Sequence, residues 1–232
     1  FARGKVWARL RGARARAFQD AGLRAPWPPA LVDGRPPAGS GFSLGFQAWA
    51  VRAGGEGAFL TAGKGRSVDG SRSWKGPGYH ACWLSGVQGP ASNSRRSQAD
   101  LMFSRASSLL RRGGFSMRQV VRTWIYLEDI LDWYGDFNAA RNASFKRLGL
   151  GPGLKAPFPA STGVEGHPRK GACVMDLLAF KTRPGGPVKI RPIERTPQQG
   201  SATGYGSSFS RGMVLTGPEG RLIHVSGTAS IG

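Results

Sequence analysis

Apolar residues along this chain fall into two clear periodicities. Over residues 95–113, Ala99, Met102, Phe103, Ala106, Leu109 and Leu110 recur at three- and four-residue spacing, and Gly113-Gly114 closes the run. That spacing predicts a helix with one buried face. Ser116 and Met117 then lead into Val120–Leu127, where Val121, Thr123, Ile125 and Leu127 alternate with Arg122, Trp124 and Tyr126. A two-residue period predicts a strand. From about Asp129 to Leu148 the helical period returns, with Ile130, Tyr134, Phe137, Phe145 and Leu148 on one stripe. Gly149–Pro159 is rich in Gly and Pro and reads as a loop, and Ala172–Lys181 as a further strand. Upstream, Phe46–Val51 and His80–Ser85 read as short strands, with turns at Gly54–Gly57 and Gly63–Gly70.

The resulting order is strands, helix, strand, helix, loop, strand. It predicts an α+β fold in which a sheet carries two helices on one face. Residues 1–40 are basic and contain Pro26, Pro28, Pro29, Pro36 and Pro37, so they read as an irregular lead-in. The first domain is expected over 41–183 and a Pro/Gly/Gln linker over 184–204. A second domain opens at 205–232, where Arg221–Gly232 reads as a strand that stops without a partner. Phe1 is not an initiator Met, and the chain reads as a fragment.

Composition narrows the class. The chain has 232 residues, 40% of them apolar, enough for a buried core and against a wholly disordered chain. No apolar run approaches the ~18 residues of a membrane span, and no apolar segment follows the first basic residues as in a secretory signal. Cys82 and Cys173 are too few for a disulfide scaffold, so a cytoplasmic protein with reduced thiols is expected. The formal net charge is +20, from 33 basic and 13 acidic residues. Residues 1–25 hold Arg3, Lys5, Arg9, Arg11, Arg14, Arg16 and Arg24 against Asp20. Such clusters attract phosphate polymers. However, Arg is spread through the chain beside excess Gly, Ala and Pro, as GC-rich coding would give. No zinc-finger spacing or aromatic RNA-binding motif accompanies it. Specific nucleic-acid binding is therefore not the expected role.

Most motif matches dissolve on inspection. Gly41-Phe-Ser-Leu-Gly45 has the G-x-S-x-G pattern but precedes a strand, not the helix a nucleophile elbow needs. Gly63-Lys64 lacks the first Gly and the Ser/Thr of a phosphate loop. His80, His167 and His224 lie far apart and make no metal-ligand spacing with two lone cysteines. Glu128, Asp129, Asp132 and Asp136 read as helix N-terminal charges. Two segments retain chemical interest. Pro159-Ala-Ser-Thr-Gly163 is a loop of small polar residues. Tyr205–Arg211 gathers hydroxyls and a guanidinium, which suit a carboxylate, although a turn with local Ser–backbone bonds has the same composition.

Arg95–Phe180 resembles the reactive-intermediate deaminase family (Rid or YjgF, also called endoribonuclease L-PSP-like). The matching features are the helix ending in Gly-Gly, the strand Val120-Val-Arg-Thr-Trp-Ile-Tyr-Leu127, Phe137-Asn138, Pro159-Ala160 and the strand Val174–Ala179. A second copy is similar from Tyr205 to Ile231. Two copies, with Arg122-Thr-Trp-Ile-Tyr-Leu127 and Pro159-Ala-Ser-Thr-Gly163, look more like the tandem chorismatases. The resemblance implies a YjgF/chorismate-mutase-like fold and a homotrimer.

The resemblance also implies chemistry. The deaminases carry Arg after Pro-Ala and Glu thirteen residues later; here those positions are Ser161 and Val174. A serine cannot act as a bidentate cation, and a valine cannot orient water. The first copy is therefore expected to be degenerate. The chorismatase likeness implies cleavage of the enolpyruvyl ether of chorismate to pyruvate and a cyclic carboxylic acid, with no metal or organic cofactor. The catalytic glutamate is expected beyond Gly232. Within the chain, Tyr205 and Arg211 are expected to hold a substrate carboxylate and Ala229 to wall the pocket, with Ser161 and Thr162 as further substrate-binding candidates. The alternatives are enamine/imine hydrolysis by the second copy and a non-catalytic ligand-binding or oligomer-building protein.

Overall fold

The computed structural model describes residues 2–22, 32–33, 71–218 and 220–227. The strand expected at Phe46–Val51, the turns at Gly54–Gly57 and Gly63–Gly70, the Gly41–Gly45 motif and Ala229 lie outside the described residues.

Ten strands and three α-helices run along the described residues. The helices are α1 (Ala2–Asp20), α2 (Arg95–Arg112) and α3 (Ile130–Leu148). The first strands are β1 (Val32–Asp33), β2 (Ser71–Gly76), β3 (Tyr79–Val87), β4 (Val120–Leu127) and β5 (Ala160–Glu165). They are followed by β6 (His167–Pro168), β7 (Cys173–Thr182), β8 (Lys189–Ile193), β9 (Gly212–Gly217) and β10 (Gly220–Val225). A five-stranded sheet has the order β2-β3-β7-β4-β5, antiparallel except for the parallel pair β4–β5. A three-stranded antiparallel sheet has the order β10-β9-β8.

The helices α2 and α3 cover one face of the larger sheet, as the periodicity predicts. Ser94 caps α2 by accepting from the Ser97 amide at 3.3 Å, and Gly113 ends it. Met102, Phe103, Ala106, Leu109 and Leu110 of α2 are buried with Phe137 and Phe145 of α3 and Ile125, Met175 and Leu177 of the sheet. Phe103 meets Phe145 edge-on at 5.4 Å. Truncating a buried Phe of this kind costs about 3–5 kcal/mol. Asp129 enters α3 in the left-handed conformation (φ 47°), and Gly149 leaves it at φ 76°.

The other face is covered by the smaller sheet. Trp74, Ala81, Val121, Ala160 and Leu178 form a second core with Met213 and Leu215 of β9. Val121 departs here from the expected alternation. Val120 pairs with Ala179 and Arg122 with Leu178, so Val121 is the extra residue of a β-bulge. Bulging turns its side chain from the helix face to the second core.

Four other expectations change. Residues 1–40 are not irregular throughout, because α1 runs over Ala2–Asp20. That stretch is Ala- and Arg-rich and precedes the first proline, so backbone propensity favours helix. Pro159–Gly163 is not all loop: Ala160 opens β5, held beside β4 by parallel pairing. The segment 184–204 contains β8, with Pro192 facing Met213; proline is tolerated because β8 is an edge strand. Lastly, β10 pairs with β9 along its whole length instead of standing alone.

Candidate functional site

Two polar clusters flank the junction of the sheets. The first is built on the loop between β8 and β9. Ser201 caps the short turn Ala202–Tyr205, and Gly206, at φ 80°, ends it. The loop is fixed to α3: the Asn142 amide donates to the Gly206 carbonyl at 2.9 Å, and the Ser208 hydroxyl donates to Asn142 Oδ1. Asn142 is thereby committed to the loop.

Arg211 and Tyr205 come together in this cluster. Arg211 donates from Nη1 to Tyr205 Oη at 2.9 Å and from Nε to the Gly200 carbonyl at 2.9 Å. Its guanidinium lies 5.4 Å from the Tyr205 ring centre and 5.7 Å from that of Phe209. Arg211 is buried, whereas Tyr205 is 44% exposed.

A second guanidinium approaches the same ring. Arg141 of α3 is buried and lies 5.8 Å from the Phe209 centre and 5.4 Å from Phe137. It donates to Asn138 Oδ1 at 2.6 Å, and its Nε has no partner. Burial lowers its pKa, with Tyr134 and Tyr205 partly opposing the shift. Among the described residues, no carboxylate forms an ion pair with Arg141 or Arg211. Nearby, Phe158, Glu194, Phe209 and Ser210 line a cavity of about 20 Å³, large enough for a water.

The second cluster sits at the seam where β5 meets β9 and β10. Ser161 is buried; its hydroxyl accepts from Thr123 Oγ1 at 2.8 Å, and its amide donates to Ser226 Oγ at 2.8 Å. Ser226 in turn donates to the Ser210 carbonyl. Thr162 Oγ1 accepts from Arg122 Nη2 and, at 2.9 Å, from the Gly227 amide. Arg122 is buried, stacks 4.8 Å from the Trp124 ring centre and has its pKa lowered to about 10 by burial, with Tyr126 partly opposing. Trp124 also packs on Trp83 at 5.0 Å and edge-on to His224 at 6.3 Å. Burial, reinforced by Arg122, lowers the His224 pKa to about 4.

Of the five expected binding residues, Tyr205 and Arg211 share one cluster, Ser161 and Thr162 share the other, and Ala229 is outside the described residues. Sequence reasoning missed Arg122 and Arg141. In the sequence Arg122 stands out only as a residue alternating with the apolar side of a strand, and nothing singles out Arg141. Ser161 is committed to structural bonds, and Val174 is buried in the sheet. Among the described residues no group of three or more His, Cys, Asp or Glu side chains could hold a metal ion. No helix among them is long and apolar enough to cross a membrane.

Neither a protein-family profile nor a curated protein matches the sequence. Solved structures do match. A chorismatase structure is 23% identical, with 70% of this chain covering 48% of that one at a TM-score of 0.48. RidA from the Antarctic bacterium Psychrobacter sp. PAMC 21119 is 19% identical, covering 53% of this chain and 98% of that one at 0.39. E. coli TdcF with bound serine is 15% identical, covering 44% and 81% at 0.39. The chain spans about half the length of that chorismatase structure.

Proposed function

We propose that this chain carries the carboxylate-holding part of a chorismatase-type site. The observation that carries this reading is the pair of buried guanidiniums, Arg141 and Arg211, 5.8 and 5.7 Å from the Phe209 ring centre, neither in an ion pair with an acidic side chain among the described residues. A buried cation costs several kcal/mol unless a counter-charge meets it. A carboxylate substrate supplies that charge, and Tyr205 adds an aimed phenol. Chorismate is the substrate class: a small ring with one carboxylate, and a second carboxylate on its enolpyruvyl ether.

The reaction consumes one water. A carboxylic acid with a raised pKa protonates the enol ether methylene, water adds to the resulting cation, and the C–O bond breaks to release pyruvate and the ring alcohol. That acid, expected beyond Gly232, is part of the proposal. So are the division of the chain into two similar domains, the homotrimer, and the cytoplasmic setting that two buried, unpaired thiols suit.

Enamine or imine hydrolysis in the first copy is disfavoured, because Ser161 and Val174 supply neither cation nor acid. The deciding experiment offers chorismate and a simple enamine in parallel to the protein extended through its second domain. Pyruvate from chorismate, without ammonia from the enamine, is the expected result. Ammonia alone would replace this reading with the deaminase one, and no turnover of either would favour a binding or assembly role.

A further inference from the structure

The seam cluster contains more donors than acceptors. Thr162 Oγ1 has two lone pairs, and both are taken, by Arg122 Nη2 and by the Gly227 amide. Its own proton therefore has no acceptor within that trio. Arg122 Nη1 is buried and has no hydrogen-bond partner. No carboxylate lies within ion-pair distance of Arg122 among the described residues. The neighbouring ring of His224 stays neutral above about pH 4, so the charge available here is that of Arg122.

The surroundings hold these donors in place. The Trp124 face supports the guanidinium from one side. The backbone at Gly227 closes over Thr162 so tightly that a Cβ there would come within 2.7 Å of Thr162 Cγ2. Glycine is what lets the amide reach the hydroxyl. Ser226 fixes the same segment to Ser161 and Ser210. Two unallotted donors, one of them charged, held by an aromatic face and a rigid backbone, call for an acceptor that carries negative charge.

We propose that Arg122 and Thr162 form a seat for a small carboxylate at the seam between the two sheets, separate from the Tyr205–Arg211 cluster. The carboxylate accepts from Arg122 Nη1 and from the Thr162 hydroxyl. Its body is a planar or apolar group, because the flanking side chains are aromatic.

Sodium benzoate is the probe, with equimolar sodium chloride as the control, and amide NMR shifts of the 232-residue chain as the readout. The amides of Thr162 and Gly227 are expected to titrate with benzoate and not with chloride. Thr162→Val, which removes the hydroxyl, both its proton and the oxygen that holds Arg122 Nη2, is expected to weaken this titration about tenfold or more, while Thr162→Ser retains it within about threefold. Arg122→Met should abolish it, and Thr162→Val keeps the test decisive should Arg122→Met fail to fold. Unchanged titration in Thr162→Val, or equal effects of benzoate and chloride, overturns the proposal. The Tyr205–Arg211 reading is followed separately through the amides of Ser207–Gly212. Their response can survive or fail independently.

Discussion

Arg211 donates to Tyr205 Oη at 2.9 Å and to the Gly200 carbonyl at 2.9 Å, so one guanidinium ties a partly exposed phenol to the backbone of the loop between β8 and β9. The two bonds hold the Arg211 guanidinium and the Tyr205 phenol in one fixed arrangement. The geometry also braces the loop, which makes the energetic roles of the neighbouring residues separable by experiment.

Arg141 is the first such case. It is buried, no acidic side chain among the described residues pairs with it, and its Nε has no partner. Arg141→Met removes the uncompensated charge and keeps much of the volume. The variant is expected to be at least as stable as the parent, by up to about 1–4 kcal/mol in urea unfolding, while binding carboxylates less tightly. A large loss of stability with unchanged binding would make Arg141 a structural residue.

Ser226 joins the two sheets by accepting from the Ser161 amide and donating to the Ser210 carbonyl. Ser226→Ala leaves a buried amide without its acceptor. The expected cost is about 1–3 kcal/mol, read as a lower urea midpoint at unchanged slope.

His224 gives a pH dependence of defined sign. Its folded pKa is about 4 against an ordinary 6.5, so the unfolded chain binds the proton more readily. The contribution of neutral His224 is fully present above about pH 6.5 and is lost as pH falls towards 4. Between pH 7.5 and 5.0 the parent should lose about 1–2 kcal/mol more stability than His224→Gln, allowing for partial solvent screening. Parallel stability profiles would contradict this assignment.

Cys82 and Cys173 are buried, and burial pushes both thiols up to about 12. Native protein is expected to resist iodoacetamide at pH 8, with both thiols reacting on unfolding. Rapid alkylation of the folded chain would show that the core opens locally.

Much of this architecture was legible in the residue pattern. The helix read over residues 95–113 is α2 (Arg95–Arg112), and the strand read over Val120–Leu127 is β4 with the same limits, because helical and alternating periods are long there. Val121 escaped because a single bulge reverses the face of every residue before it. The strand β5 escaped because Ala160, Ser161, Thr162 and Gly163 show no apolar alternation, and their pairing with β4 lies across a helix and a loop. The strand β8 was hidden by the Pro and Gly around it. Tyr205 and Arg211 were legible as a pair because they lie six residues apart in one turn. Arg122 and Arg141 were not, since their chemistry comes from burial.

The central claim, that the Tyr205–Arg211 pair holds a substrate carboxylate, is tested most directly by titrating chorismate calorimetrically into the parent chain and into Arg211→Ala. A charge-assisted hydrogen bond is worth about 1.5–3 kcal/mol, so the variant should bind roughly 10–150-fold more weakly. Equal affinities would contradict the account and leave Arg211 as a brace for the loop.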